Sequence, residues 1–189
     1  MLIAFHKPFA VISQFRSDGS TYQSLSAFGF PPDVYPIGRL DADSEGLLLL
    51  SDETELNFKL LDPVQGHPRL YWAEVERIPK ASKLARLEKG VVIQGRRTLP
   101  GRAWILEPQP AIPPRAVPVR FRKNVPTCWL AIELTEGKNR QVRRMTAAIG
   151  HPTLRLIRIS IGKLKLDDLA PGTWKVLSAQ ERALALVRR

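Results

Sequence analysis

The stretch GRLDADSEGLLLLSD, residues 38–52, decides the fold, because three carboxylates stand directly before the most apolar run of the chain. Gly46 opens this run and Ser51 closes it, and a run of four leucines is too short for a buried helix. Such a short apolar run between turn residues is typical of a fully buried strand. The sequence therefore predicts a central strand that is preceded by an acid loop, residues 41–45, at the rim of a sheet.

Outward from this strand, segments rich in aromatic and β-branched residues predict further strands. Apolar periodicity and stop signals predict four helices, two of them with capping boxes at Asp52/Glu55 and Ser178/Glu181. The predicted strands are 2–8, 10–15, two within 90–107, 69–77, 127–137 and 154–162, and the predicted helices are 54–61, 80–90, 139–149 and 178–187. Interspersed strands and helices, with strands in excess, predict an α+β fold with a mixed, mostly antiparallel central sheet flanked by helices.

Two long segments are expected to lack regular strands. Residues 16–33 are polar and rich in turn residues, which predicts a loop with one short helix. Residues 107–126 are rich in proline and predict an extended loop. Because strong apolar strands lie on both sides of this second loop, we expect one domain, 1–189, and not two domains joined by a linker.

The charge of the chain points to a polyanionic partner. It has 29 Lys and Arg residues against 18 Asp and Glu, a net charge of +11 and a pI near 10.3. Clustered positive charge favours nucleic acid, and a basic protein that is merely soluble is the alternative. The one cysteine, Cys128, excludes a disulfide within the chain. No apolar run approaches the ~20 residues of a membrane span, so we expect a cytoplasmic protein without membrane contact.

Three interpretations of the acid loop are open. DADSEGLLLLSD nearly fits a calcium-binding EF-hand loop, but that loop needs a helix on each side, and the prolines before it prevent one. Asp43, Ser44 and Glu45 are typical of a turn into a buried strand. Asp41 follows Leu40 in a partly buried segment, where a carboxylate needs a partner. Kept ionised by a nearby arginine, Asp41 can act as a nucleophile or a base.

The helix predicted from GKNRQVRRM is the best source of such an arginine. Three apolar residues fall at helical spacing and predict one buried stripe: Val142, Met145 and Ile149. Arg143 adjoins this stripe and can reach inward, whereas Arg140 and Arg144 reach outward. A solvated basic face is the alternative, and it stays open above all for Arg144.

Four motifs, taken together, resemble the RsuA-type pseudouridine synthase family. GRLDADSEGLLLLSD is similar to the family signature GRLD-x-D-[ST]-x-GLLL, and EGKNRQVRRM is similar to the later motif EG-x-x-x-Q-[IV]-R-R-M. FHKPFAVIS resembles the N-terminal KP-x-G strand and RLYWAEV the K-x-Y strand, in the family's order from Lys7 to about Arg158. Ala10 replaces the usual glycine and Arg69 the usual lysine, and neither departure touches the implied chemistry.

The resemblance implies the pseudouridine synthase fold with an active-site cleft, and isomerisation of a flipped-out uridine in RNA without a cofactor. Asp41 matches the catalytic aspartate, and Tyr71 matches the tyrosine that stacks on the base. Arg143 matches the arginine that pairs with the aspartate, and Val142 the apolar residue near the target base. For Tyr71 a core aromatic is the alternative. The three histidines are scattered, so no metal site is expected.

Nine basic residues are expected to contact RNA, mainly at phosphates. They are Arg39, Arg115, Arg120, Arg122, Lys123, Arg140, Arg144, Arg155 and Arg158. Phosphate contacts position RNA without reading its sequence, and they weaken steeply with salt. Arg155 and Arg158 belong to a strand that is predicted to have one buried and one positive face, and one of the two can face solvent only.

The branch of the family is indicated by three features. These are the lack of an N-terminal S4-type RNA-binding domain, the segment PPRAVPVRFRKNVPTCWL and the ending GHPTLRLIRISIG, which together resemble the branch that acts on large-subunit rRNA. We therefore expect a monomer that acts on 23S rather than 16S rRNA. A non-catalytic RNA-binding or ribosome-assembly protein with the same fold is the main alternative, and a hydrolytic nuclease the third. Asp41 favours the enzyme, because a carboxylate facing phosphates would only repel them in a binding protein.

Overall fold

The computed structural model describes residues 1–119 and 122–188. The chain forms two compact units, of which the first comprises Met1–Arg69 and Ile157–Arg189 and the second Leu70–Leu156. None of the helices in the described parts of the chain is long and apolar enough to cross a membrane.

Eleven strands and four helices make up the described parts of the chain. The strands are β1 (Leu2–Lys7), β2 (Tyr35–Ile37), β3 (Glu45–Ser51), β4 (Arg69–Glu76), β5 (Val92–Ile93), β6 (Arg96–Arg97), β7 (Arg102–Ile105), β8 (Thr127–Leu134), β9 (Thr153–Ile161), β10 (Leu164–Lys165) and β11 (Trp174–Val176). The helices are α1 (Glu55–Leu61), α2 (Ala81–Glu88), α3 (Gln141–Ala148) and α4 (Ala179–Ala185), with 3-10 turns at Leu25–Phe28 and Pro63–Gln65. The α+β class and all four predicted helices are confirmed.

The first unit is built around β3. Its strand order is β11-β1-β3-β9, with β2 also paired to β3 and β10 to β9. β3 runs antiparallel to β1 and parallel to β9, and all seven of its residues are buried. Complete burial stabilises a leucine side chain by roughly 1.5–3 kcal/mol, so four consecutive leucines favour a position with neighbours on both sides. The predicted buried central strand is confirmed.

The second unit contains strands in the order β4-β8-β7, and β5 and β6 form a separate hairpin. Helix α3 buries the predicted stripe: Val142, Met145 and Ile149 are 4%, 0% and 1% exposed. Cys128 lies buried in β8, and burial raises the pKa of its thiol. The described residues between β7 and β8 form no helix or strand, as predicted for the proline-rich segment.

Three local predictions need correction or confirmation. Residues 10–15 do not form a strand, because their backbone bonds loop residues and only Val11 forms an isolated bridge, to Gln23. The capping box at Asp52 is wrong, since α1 begins after Thr54 without a side-chain cap and the Asp52 carboxylate binds the amino group of Met1. The capping box of Ser178 with Glu181 is confirmed at the start of α4.

Candidate functional site

The acid loop of the first unit lies between Leu40, which is held by two hydrogen bonds, and the buried strand β3. The hydroxyl of Ser13 donates a hydrogen bond to the carbonyl of Leu40 (2.7 Å) and accepts one from its amide (3.0 Å). The amide of Ser44 donates to the carbonyl of Asp41 at 3.0 Å, which closes a turn. Leu40 is buried, as predicted, and Asp41 is partly exposed. The carboxylate of Asp41 is thus presented from a turn that is fixed at both ends.

Lys7, at the end of β1, is a charged residue next to this loop for which the sequence suggested no role. Its side chain is fully buried, and Nζ donates hydrogen bonds to the carbonyls of Val11 (2.6 Å) and Pro8 (3.0 Å). Burial lowers the pKa of Lys7 to about 7, while the three carboxylates of the acid loop act in the opposite direction. The signal in the sequence was the Lys-Pro pair that ends a strand within a family motif.

Ala10, which replaces the usual glycine of the family pattern, has a backbone conformation that favours glycine. Its φ is +62°, a left-handed conformation that favours glycine, the residue that the family usually has at this position. The amide of Ala10 donates a hydrogen bond to the carbonyl of Ala42, inside the acid loop, at 2.8 Å. The left-handed turn therefore attaches the segment after β1 to the loop that contains Asp41.

The calcium-loop interpretation is excluded by the geometry of the chain. β3 begins at Glu45, inside the twelve residues that an EF-hand loop would need, and a strand instead of a helix follows the acid loop. Within residues 1–119 and 122–188, no group of three or more His, Cys, Asp and Glu residues is arranged to hold a metal ion.

In the second unit, Tyr71 lies on β4 and is 8% exposed. It alternates along the strand with the same periodicity as Ala73 and Val75, which are completely buried, so all three face one side. This burial fits the alternative of a core aromatic, and the stacking role of Tyr71 stays a prediction.

Helix α3 carries the predicted inward and outward residues. Val142 is buried, and Arg143 is partly exposed with Nη1 donating to the carbonyl of Thr153 at 3.2 Å. Arg140 is exposed and precedes the helix with a φ of +50°. The boundary position of Arg143 is confirmed, and its pairing with the catalytic aspartate stays a prediction.

Arg144 binds neighbours within its own unit. Its Nη2 donates to Oδ1 of Asn139 at 2.7 Å, and its Nη1 binds Oε1 of Gln94 in the turn of the β5–β6 hairpin. Arg96 and Arg97 on that hairpin are exposed, although the sequence suggested no role for them. The signal in the sequence was the pair of arginines that follows the Gln94–Gly95 turn.

The remaining predicted basic contacts outside β9 fall into three groups. Arg39, in the first unit, is exposed and donates to Oε1 of Gln14 at 2.7 Å. Arg115, Arg122 and Lys123 belong to the proline-rich segment of the second unit, where Arg122 and Lys123 are exposed and Arg115 is partly exposed. Arg120 lies outside the described residues.

The expectation of an exposed positive face on β9 is wrong. Arg155 and Arg158 are only 8% and 4% exposed. Nη1 of Arg155 donates to the carbonyl of Pro113 at 2.8 Å, and Nε of Arg158 donates to the carbonyl of Leu47 at 2.7 Å. Both guanidinium groups are buried against backbone acceptors, and the contact of these two residues with RNA stays a prediction.

Comparison with known proteins gives consistent results. Residues 1–148 match the protein family described as RNA pseudouridylate synthase. The chain is similar to a Xanthomonas axonopodis protein named ribosomal large subunit pseudouridine synthase E, with 51% identity over 90% of either chain. A protein of the same name from Xanthomonas campestris is 50% identical over 95% of this chain and 97% of that relative.

The fold also has a solved counterpart. A crystal structure of a pseudouridylate synthase superimposes with a TM-score of 0.80 over 98% of this chain and 73% of the other, at 23% identity. At this identity the likeness concerns the fold.

Proposed function

Because the chain belongs to the RNA pseudouridylate synthase family, we propose that it isomerises one uridine of 23S ribosomal RNA to pseudouridine, with Asp41 as the catalytic carboxylate. The enzyme class follows from the family. The choice of 23S over 16S rRNA rests on the relatives named after the large ribosomal subunit, which match nearly the whole chain.

One observation carries the assignment of Asp41. Its carbonyl closes a turn with Ser44, the residue before it is locked by Ser13, and the strand after the loop is completely buried. A reactive group on such a rigid support stays within the narrow range of positions that catalysis requires. Of the three acids in the loop, Asp41 is the one that directly follows Leu40, the residue to which the Ser13 hydroxyl is hydrogen-bonded.

The isomerisation of uridine requires one correctly positioned carboxylate and no external group. The N1–C1′ bond breaks, the uracil turns, C5 bonds to C1′, and the proton lost from C5 is balanced by one gained at N1. Asp41 starts this sequence either by attack on C1′ or by removal of the C2′ proton to give a glycal. No electrons enter or leave, so no redox cofactor takes part.

The target uridine must leave its stack to reach the carboxylate, which costs a few kcal/mol. Contacts of Tyr71 and Val142 with the base would offset this cost, since stacking contributes about 1–3 kcal/mol per base. We propose that Arg143 orients the Asp41 carboxylate, as the family resemblance implies. We further propose that basic surface residues bind the phosphates. Four of them are exposed and Arg144 is partly exposed; the exposed ones are Arg39, Arg122, Lys123 and Arg140.

We extend the proposal to the setting of the reaction. Relatives named after the large ribosomal subunit come from bacteria, where ribosomes assemble in the cytoplasm, so the cytoplasm is the proposed location. We propose that residues 1–189 act as a single catalytic domain and as a monomer.

RNA labelled with tritium at C5 of uridine tests the proposal, because each pseudouridine formed releases tritium to water. We expect release by the wild type, and Asp41→Asn should abolish release while RNA binding persists. Asp43→Asn is the matched control, since Asp43 is a partly exposed acid of the same loop, and it should retain most of the rate. Release by Asp41→Asn at the wild-type rate would refute the role of Asp41.

A further inference from the structure

The second unit contains a pocket that no step of the isomerisation uses. Its volume is about 500 Å³, within the range of roughly 300–1,000 Å³ that is usual for small-ligand sites. The sheet contributes Glu74 and Glu76 of β4 and Thr127 of β8 to one wall, and the loop from Arg122 to Pro126 forms a second wall. Carboxylates therefore lie on the sheet side and basic residues on the loop side.

Two contacts fix the polar groups of this pocket. The hydroxyl of Thr127 donates to Oε1 of Glu74 at 3.2 Å, which orients the partly exposed Glu74 carboxylate. Nη1 of Arg122 lies 3.4 Å from Oε2 of the buried Glu76, and the Arg122 side chain keeps 44% of its surface exposed. The two glutamates are two residues apart on one face of a strand, about 7 Å from each other.

Carboxylates in the pocket of a strongly basic protein select a ligand that has hydrogen-bond donors as well as negative charge. An ionised carboxylate accepts about four hydrogen bonds through two oxygens, so Glu74 keeps capacity beyond its bond from Thr127. A cation or a cationic peptide would be repelled by the exposed Arg122 and Lys123 of the loop wall. A nucleotide fits both walls, with its base towards Glu74 and its phosphate towards Arg122.

The pattern of donors distinguishes guanine from uracil. The Watson–Crick edge of guanine presents N1–H and N2–H side by side, which matches the two oxygens of one carboxylate. Uracil presents a single N3–H between two carbonyl oxygens, which a carboxylate repels. Single-stranded RNA is commonly read in this way, by hydrogen bonds to the edges of unstacked bases.

We propose that this pocket binds an unpaired guanosine nucleotide of the substrate RNA, with Glu74 reading the base and Arg122, held by Glu76, binding the phosphate. This rests on the proposed function, because it makes the pocket a specificity site for a nucleotide other than the target uridine. Thr127 is a positioning residue that acts through Glu74.

Titration calorimetry of the full chain with guanosine, GMP and UMP tests the site. Glu74→Gln should weaken GMP at least tenfold, because an amide N–H then faces the donors of guanine, and UMP should be unaffected. Arg122→Gln should weaken GMP but not guanosine. Glu133→Gln is the control, since Glu133 lies on the same face of β8 about 20 Å from Thr127, and it should change nothing.

Equal weakening of GMP and UMP by Glu74→Gln, or unchanged GMP binding, would overturn the proposal. Displacement of GMP by a trilysine peptide that binds more tightly would also overturn it, and would assign the pocket to a protein segment. Tritium release is measured on the same preparations. Tritium release without selective GMP binding would refute the guanosine site alone. Selective GMP binding without tritium release would refute the proposed isomerase function.

Discussion

Gly46 and Arg158 lie opposite each other in the parallel strands β3 and β9, and a Cβ atom on Gly46 would stand 2.3 Å from the carbonyl oxygen of Arg158. The same atom would stand 2.6 Å from the Arg158 amide nitrogen, and the φ of Gly46 is +106°. Only glycine meets both requirements without strain. The residue at the junction of the acid loop and the central strand is therefore dictated by backbone approach.

Gly46→Ala should lower the free energy of unfolding by about 2–4 kcal/mol, because backbone strain and a clash with β9 add together. Urea denaturation measures the loss. Gly66→Ala is the control, since Gly66 also has a positive φ but nothing within 4 Å of its Cβ position, and about 1 kcal/mol is expected. Equal losses of unfolding free energy in the two variants would show that the close approach of the Arg158 backbone does not contribute.

Ala10→Gly should raise the free energy of unfolding by about 1 kcal/mol, because a left-handed conformation costs alanine about 1–2 kcal/mol. Thermal unfolding detects the gain. Ala27→Gly, at an exposed position of the first unit, should give no gain. A destabilised Ala10→Gly variant would contradict the strain inferred from the φ of +62°.

Lys7 should make the stability of the protein rise with pH. Its pKa is about 7 in the folded chain and 10.5 in the reference state, so the unfolded chain binds more protons between these values. Raising the pH through this window favours the folded state, by at most about 1.4 kcal/mol per pH unit. Urea denaturation at pH 7 to 10 should show this rise in the wild type and lose it in Lys7→Met.

Lys163→Met is the comparison for Lys7, because Lys163 is exposed in the same unit. Its pH dependence should match that of the wild type. Parallel curves for Lys7→Met and the wild type would show that Lys7 titrates normally.

Arg143→Ala should slow tritium release about a hundredfold, because a catalytic group displaced by about 1 Å costs that much. Arg144→Ala should cost less than about tenfold, since Arg144 binds Asn139 and Gln94 of its own unit. Arg143→Lys should recover part of the rate, and RNA binding should change little in Arg143→Ala. Equal rates in the two alanine variants would count against the predicted pairing with Asp41.

Tyr71→Leu should separate stacking from core packing. Leucine fills most of the buried site but offers no ring, so stability should change by less than about 2 kcal/mol while activity falls about tenfold or more. Tyr71→Phe should retain activity, because it keeps the ring. Full activity of the leucine variant would leave Tyr71 a core residue only.

Local patterns were sufficient to predict the elements that support the proposed site. Four leucines bounded by Gly46 and Ser51 specify β3, and the stripe from Val142 to Ile149 specifies the buried face of α3. The residues that make up each signal lie within a few positions of one another in the chain. The residues around Asp41 could also be predicted, because they repeat a long family motif.

Distant partners explain the failed predictions. Arg155 and Arg158 are buried because carbonyls 42 and 111 residues away accept their hydrogen bonds. Residues 10–15 form no strand because Ala10 and Ile12 donate to carbonyls of Ala42 and Gln23 in other loops. Single-sequence patterns contain no information on such acceptors.

The first unit combines residues 1–69 with residues 157–189, and this affects the order in which its strands can pair during translation. When a ribosome has translated β1, β2 and β3, the residues of β9 that pair with Glu45 and Gly46 of β3 are still about a hundred codons away. The support of the nascent acid loop therefore stays incomplete until residues beyond Ile157 leave the exit tunnel. A chain that ends before Arg158 lacks the strand that pairs with Gly46, so it should be inactive and prone to aggregate.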